Sequence, residues 1–290
     1  MKKTIITLLL ISGIAQAQDV ILGTLDGNYT YTQFDANNVI VNFGGAEPTG
    51  YNRPQQDDIQ LMYYCQDTNG SAIWADAKGN YDGTVLPSGA TGATYTNLGE
   101  RADGSTNEIA RYFDGIDDRI NCTDIEMDGW TNLTVCAWIK TDSTPNLARI
   151  LSKDQEGKQG AWILFIDVND DLTFQVHDGT SFMFATWADY DKTDETWHHV
   201  AGVLNGADVI LYFDGEEKAK VSTMTAGIDD ADNEEVAVGA DSDIASPRHL
   251  FKGFIDDVCI WSNALSEVQL GTLYTNTLHP TNSVEVFITP

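Results

Sequence analysis

Leu133-Thr134-Val135-Cys136-Ala137-Trp138-Ile139 places Leu133, Val135, Ala137 and Ile139 on one face of an extended chain and Trp138 on the other. A period of two marks a strand lying on a core. Outward from this run the pattern returns in short pieces, at 109–113, 119–122, 149–152, 161–167, 172–177, 181–185, 196–204, 209–213, 217–221, 235–239 and 253–261. Turn chemistry separates them: Val168-Asn169-Asp170 joins two pieces, and Asp214-Gly215 follows Leu211-Tyr212-Phe213 as a tight hairpin requires. Upstream, 59–65 reads as the domain's first strand, while 67–83 and 87–104 read as polar loops. One short helix is expected at 267–274, with Ser266 as its cap and Gln269 completing a capping box. Many short strands without a βαβ rhythm predict an all-β, two-sheet jelly-roll sandwich with one short C-terminal helix.

The ends read differently. Lys2 and Lys3 precede an apolar run at 5–14, and Ala15-Gln16-Ala17 offers the small residues of a cleavage site. Residues 1–17 are therefore expected to be a secretory signal, with Gln18 as mature start. A retained anchor is the alternative, but an apolar core that short spans a bilayer poorly, and nothing later in the sequence resembles a transmembrane helix, so no membrane insertion is expected after signal removal. Residues 18–57 form an appendage and linker, with strand-like pieces at 20–25, 29–34 and 39–43, followed by a glycine- and proline-rich stretch at 44–54. The main domain is expected at 58–278, and the tail 279–290 contains an added-strand candidate at 283–288.

Forty-four acidic side chains face 16 basic ones, a formal charge of −28. Such a surface repels nucleic acid and anionic bilayers and offers oxygen ligands to hard cations. Plain solubility explains the same excess equally well. Export places the chain outside the cell, at its surface or in a periplasm, where Cys65, Cys122, Cys136 and Cys259 are free to oxidise. None lies in a CxxC arrangement, and four cysteines allow three pairings.

Four ordered segments resemble the laminin-G-like, concanavalin-A-like jelly-roll family of secreted bacterial proteins. They are Tyr64 with Asp76-Ala77-Lys78-Gly79-Asn80-Tyr81-Asp82-Gly83-Thr84-Val85; Arg111-Tyr112-Phe113-Asp114-Gly115-Ile116-Asp117-Asp118; Thr196-Trp197-His198-His199-Val200-Ala201-Gly202-Val203; and Phe251-Lys252-Gly253-Phe254-Ile255-Asp256-Asp257-Val258-Cys259-Ile260-Trp261. The likeness covers roughly residues 59–276. It implies a domain whose first and last strands lie together, bridged by a structural Ca2+ between an opening loop and an acid on the closing strand. Asp76, Asn80 and Asp82 would supply the loop and Asp256 the strand. The alternative is that these aspartates cap turns through backbone amides. The same neighbourhood implies Cys136 with Cys259, leaving Cys65 with Cys122.

Other acidic groups are weighed by their setting. Asp114 and Asp117 flank Gly115, where turn duty is the simpler role and a cation the other. Asp167, Asn169 and Asp171 imitate an EF-hand start, but Leu172 stands where glycine is needed. Asp124-Ile125-Glu126-Met127-Asp128 spaces carboxylates as some sandwich glycosidases do, in reversed order and within a connecting loop. His198 and His199 are adjacent on a strand and point to opposite faces, so they cannot share a metal. No HExxH, GxSxG or Walker-type loop occurs.

Trp187 and Tyr190, with Asp189 and Asp191 beside them, form a candidate saccharide platform; Trp162 belongs to the core. The best-supported expectation is a secreted, non-catalytic, Ca2+-stabilised binding module for a glycan or extracellular protein partner. The alternatives are a structural subunit that self-assembles through its strand-like ends, and a polysaccharide hydrolase or lyase.

Overall fold

The computed structural model describes residues 33–35, 38–42, 58–63, 73–86, 94–97, 109–141, 145, 147–154, 160–191, 193, 195–230, 234–243, 248–276 and 283–287. At 33–35, 38–42, 94–97, 109 and 283–287 only the backbone is described. The expected signal, the strand at 20–25, Tyr64 and Cys65 lie outside the described residues.

The expected two-sheet sandwich with one C-terminal helix forms within the unit Arg53–Leu278. With strands numbered in chain order, one sheet runs β13 (Phe182–Trp187), β12 (Leu172–His177), β11 (Trp162–Ile166), β10 (Arg149–Lys153), β17 (Ala237–Val238), β8 (Arg119–Asn121), β5 (Gly83–Leu86) and β4 (Ile73–Trp74). The other runs β16 (Glu216–Ser222), β15 (Asp208–Phe213), β14 (His198–Asn205), β9 (Asn132–Thr141), β18 (Lys252–Trp261), β7 (Ile109–Asp114) and β6 (Thr94–Asn97). β3 (Ile59–Tyr63) also pairs with β18. A second unit contains β1 (Gln33–Asp35), β2 (Asn38–Asn42) and β19 (Ser283–Phe287), an antiparallel sheet with β2 in the middle.

The period-two reading of β9 holds residue by residue. Leu133, Val135, Ala137 and Ile139 are fully buried in the core, where Trp162, Leu164 and Phe174 of the facing sheet join them. Burying each of the larger aliphatic side chains stabilises the fold by about 1.5–3 kcal/mol. Gly202 of β14 marks a close approach of the layers: a Cβ there would lie 2.3 Å from the Phe174 ring, so a side chain would force the two apart. On the other face of β9, Trp138 stacks on Tyr274 of α1 (Glu267–Asn276) at 5.7 Å. The helix begins as expected, the Ser266 amide donating to Gln269 Oε1 (2.9 Å) and the Gln269 amide to Ser266 Oγ (3.4 Å).

Two stretches read as loops carry strands. β4 lies within 67–83, and β6 within 87–104, where β5 also ends one residue short of the stretch. These strands are two to four residues long, too short for alternation to register.

β18 changes partner midway. Lys252–Ile255 pairs with β7, and Val258–Trp261 pairs with β3. Against β9 the register shifts between Asp256 and Cys259, and Asp257 adopts φ 48°. A bulge of this kind bends a strand and re-aims its side chains. The first and last strands of the sandwich thus lie side by side, Tyr63 opposite Val258.

Candidate functional site

The turn from β7 to β8 gathers the chain's most concentrated described acidity. Gly115 takes φ 76°, a left-handed conformation suited to glycine, and lets the backbone double back within Asp114–Asp118. Asp114 Oδ1 accepts from the amides of Ile116 (2.7 Å) and Asp117 (3.3 Å). Asp118 Oδ2 accepts from the Asp114 amide at 2.9 Å. The second Asp118 oxygen is buried and has no hydrogen-bond partner, in a residue only 3% exposed. One oxygen from each of Asp114, Asp117 and Asp118 lies within 4.8 Å of the others. Among the described residues this is the group of acidic, histidine or cysteine side chains that converges closely enough to chelate a divalent ion. Burial, reinforced by the charges of Asp114 and Asp117 and opposed by the Asp114 amide, pushes the Asp118 carboxyl from 3.8 to about 7. A buried, unpaired carboxylate oxygen beside two more carboxylates is costly alone and favourable around a cation. The residues therefore fit a hard, oxygen-loving ion.

This turn opens the stretch in which the chain matches a known family model, that of the concanavalin A-like lectin/glucanases superfamily, over residues 113–271. The match covers more than half of the 290 residues. The chain belongs to that superfamily.

Solved structures agree on the fold. Domain 4 of AbnA, a GH43 extracellular arabinanase from Geobacillus stearothermophilus in complex with arabinotriose, superposes with a TM-score of 0.56 at 17% identity, covering 75% of this chain and 98% of that one. The binding domain of botulinum neurotoxin DC in complex with SialylT gives 0.53 at 14%, covering 78% of this chain and 52% of the other. The binding domain of Paraclostridial mosquitocidal protein 1 gives 0.54 at 13%, covering 75% and 52%. The chain spans about half the length of these two toxin domains, and identities so low establish the fold alone. No curated protein matches in sequence. Membership gives the chain the lectin-like sandwich of that superfamily, which embraces both lectins and glucanases. Among the described residues no helix is long and apolar enough to cross a membrane.

The expected metal set is placed otherwise. Asp76 Oδ1 accepts from the amides of Met62 (2.9 Å) and Lys78 (3.0 Å), and Oδ2 from those of Asn80 (3.0 Å) and Tyr81 (3.1 Å). Asp82 Oδ1 accepts from the Asp76 amide at 2.9 Å, while Asn80 and Asp82 are otherwise turned to solvent. Asp256 Oδ1 accepts from the Asp257 amide (2.7 Å), inside the bulge. The four amides donated to the Asp76 carboxylate are the geometry of the turn-capping alternative weighed against a cation between Asp76 and Asp256. What sequence reasoning missed is Asp118, quoted within the Phe-Asp-Gly-Ile-Asp-Asp run but given no role.

The expected aromatic platform is brought together and turned inward. Trp187 and Tyr190 lie 6.3 Å apart, and both pack on Phe213, at 4.7 and 5.8 Å. Tyr190 is only 8% exposed, with its hydroxyl 3.3 Å from Thr141 Oγ1, so it offers no free ring face. Trp187 is half-buried beneath Lys218, and Asp189 and Asp191 are exposed, Asp191 capping the Thr193 amide.

The Asp124–Asp128 run is no acid–base pair. Ile125 and Met127 enter the core, and Asp124 pairs with the buried ammonium of Lys153 at 2.5 Å, which also meets Asp230 at 2.7 Å. His198 bridges Asp214 (2.8 Å) and Thr196 (2.7 Å), and the His199 amide donates to Asp214 Oδ1 (2.9 Å), a framework role for both. Asp167 caps its own hairpin through the Asn169 and Asp171 amides. Cys136 and Cys259 are buried partners across β9 and β18, and no disulfide is closed among the described residues.

Proposed function

We propose that the protein is a secreted carbohydrate-binding module held in its working shape by Ca2+. Superfamily membership supports the lectin half of this reading, and the observation that carries the Ca2+ half is the unpaired, buried oxygen of Asp118 between Asp114 and Asp117. Ca2+ suits such a turn because it accepts irregular sets of carboxylate, carbonyl and water oxygens. Trp187, Asp189 and Asp191 stand as an outer rim for a ligand, the tryptophan contributing its exposed edge and the acids accepting from hydroxyls. Export also suits the cysteines. Directly opposed antiparallel residues have Cα atoms about 4.5–5.5 Å apart, within the range of roughly 4.4–6.8 Å that a disulfide tolerates. Cys136–Cys259, with Cys65–Cys122 as the remaining pair, is the expected oxidised form.

The test is a glycan array probed with the mature protein in Ca2+ and in EDTA. Selective glycan binding in Ca2+ supports the reading. An array that stays blank with fully loaded, folded protein ends the carbohydrate part.

A further inference from the structure

The edge strand β13 carries a surface that the cation turn does not explain. Its residues alternate cleanly: Met183, Ala185 and Trp187 turn toward the core, while Phe182, Phe184 and Thr186 face outward. Phe182 is 42% exposed and Phe184 50% exposed. Their ring centroids lie 6.3 Å apart, as expected for alternate residues of one strand face. The neighbouring strand β12 sets a polar side chain opposite each: His177 opposite Phe182, Gln175 opposite Phe184 and Thr173 opposite Thr186. The His177 ring rests 4.3 Å from that of Phe182, and Thr173 Oγ1 donates to Thr186 Oγ1 at 3.0 Å. Phe182 is therefore seated on an ordered polar neighbour, while Phe184 stands opposite Gln175 in register.

Charge narrows the occupant. The chain carries a net −28, yet β12 and β13 contain no Asp, Glu, Lys or Arg. At the edge of the facing sheet, β16 carries Glu216, Glu217, Lys218 and Lys220, the usual protection of an exposed edge. A basic protein or an anionic glycan would find nothing complementary on β13. A neutral saccharide chain would: its C–H faces stack on aromatic rings, and its hydroxyls need a group that both donates and accepts, as the exposed Thr186 does.

Resting on the carbohydrate reading above, we propose that the outward face of β13 binds a neutral saccharide chain, with Phe182 and Phe184 as stacking groups and Thr186 as hydroxyl partner. The sugar lies across the strand pair and covers both phenyl rings, and the acidic remainder of the surface excludes sialylated and sulfated chains.

The experiment uses the mature full-length chain, Ca2+-loaded, titrated with neutral gluco-, manno-, xylo-, galacto- and arabino-oligosaccharides and with sialyllactose. The variants are F182A/F184A, T186R and the conservative F184Y, each checked by thermal melting. At least one neutral oligosaccharide is expected to bind, sialyllactose to fail, the double variant and T186R to lose at least tenfold in affinity, and F184Y to retain binding. Neutral binding that survives F182A/F184A undiminished overturns this site while leaving the carbohydrate reading intact. No binding of any sugar by folded wild-type protein overturns both. Sedimentation showing a dimer that F182A/F184A dissociates, with sugar affinity unchanged, assigns the face to a second copy and overturns the proposal.

Discussion

Two aspartate-bearing turns on this sandwich look alike in sequence and differ in what their carboxylates lack. At Asp76, both oxygens are occupied by four backbone amides, one of them from Met62 on β3. At Asp118, one oxygen takes a single amide and the other is buried with none. The first is a closed device that ties a loop to a strand. The second is incomplete in protein atoms alone and gains two carboxylate neighbours where a proton or a cation would complete it. A cluster of aspartates is informative only once their lone pairs are counted, and that count depends on which distant amides arrive.

The largest expected effect tests the closed turn. Asp76→Ala removes four accepted hydrogen bonds at a residue that is almost wholly buried, and the stranded amides must find other partners. A loss of about 3–5 kcal/mol is expected, by the usual cost of leaving buried polar groups unmet. Urea unfolding should show it at equal size in Ca2+ and in EDTA. A loss that appears only when Ca2+ is present would return Asp76 to the metal site and erase the distinction between the turns.

Next comes the open turn. Ca2+ that binds only the folded chain stabilises it by about 2.7 kcal/mol at a hundredfold excess over Kd, which for a domain this size raises Tm by roughly 5–10 °C. EDTA should reverse the shift, and Asp118→Asn should abolish most of it. An Asp118→Asn protein that gains as much from Ca2+ as the wild type would place the ion elsewhere.

The pH dependence of the metal-free protein sharpens the same point. Because Asp118 is raised from 3.8 to about 7 in the folded state, the folded chain holds a proton there that the unfolded chain has released. Stability from this group is full below about pH 4 and is lost as pH rises through about 7. Denaturant midpoints measured in EDTA should therefore carry a falling component across that window, absent in Asp118→Asn and offset in wild type by Ca2+. The same slope in both proteins would show that other groups set it.

Much of the architecture was legible because the many strand-length apolar pieces are set off by turn residues, and in β9 alternation is long enough to name the buried face. The shorter β4, β5 and β6 lacked that length. The site was less legible for two separate reasons. Asp76 and Asp118 sit in equally turn-like sequence, and what distinguishes them is the number of amides that reach each carboxylate, four at Asp76 (Met62 from β3 among them) against one at Asp118. In β13 both faces are apolar, Phe182 and Phe184 outward against Met183, Ala185 and Trp187 inward, so alternation marks the strand without saying which side is wet. Trp187 and Tyr190 were conspicuous as aromatics in a polar loop, yet Phe213 draws both toward the core.

A third turn, the hairpin at Asp167, sets the lower end of the comparison. Asp167 Oδ1 accepts from the Asn169 (2.7 Å) and Asp171 (3.1 Å) amides, and Asp170 holds φ 71°. Both amides lie at a hairpin tip where Asn169 is exposed and water can replace the carboxylate. Asp167→Ala should therefore cost only about 1 kcal/mol, the scale of an exposed cap, and leave the Ca2+ response unchanged. Matched thermal melts of Asp167→Ala and Asp76→Ala in Ca2+ and in EDTA provide the measurement. If both lose equally, burial and the reach of Met62 are not what make Asp76 structural, and the ordering of the three turns has to be rebuilt on some other property of their backbones.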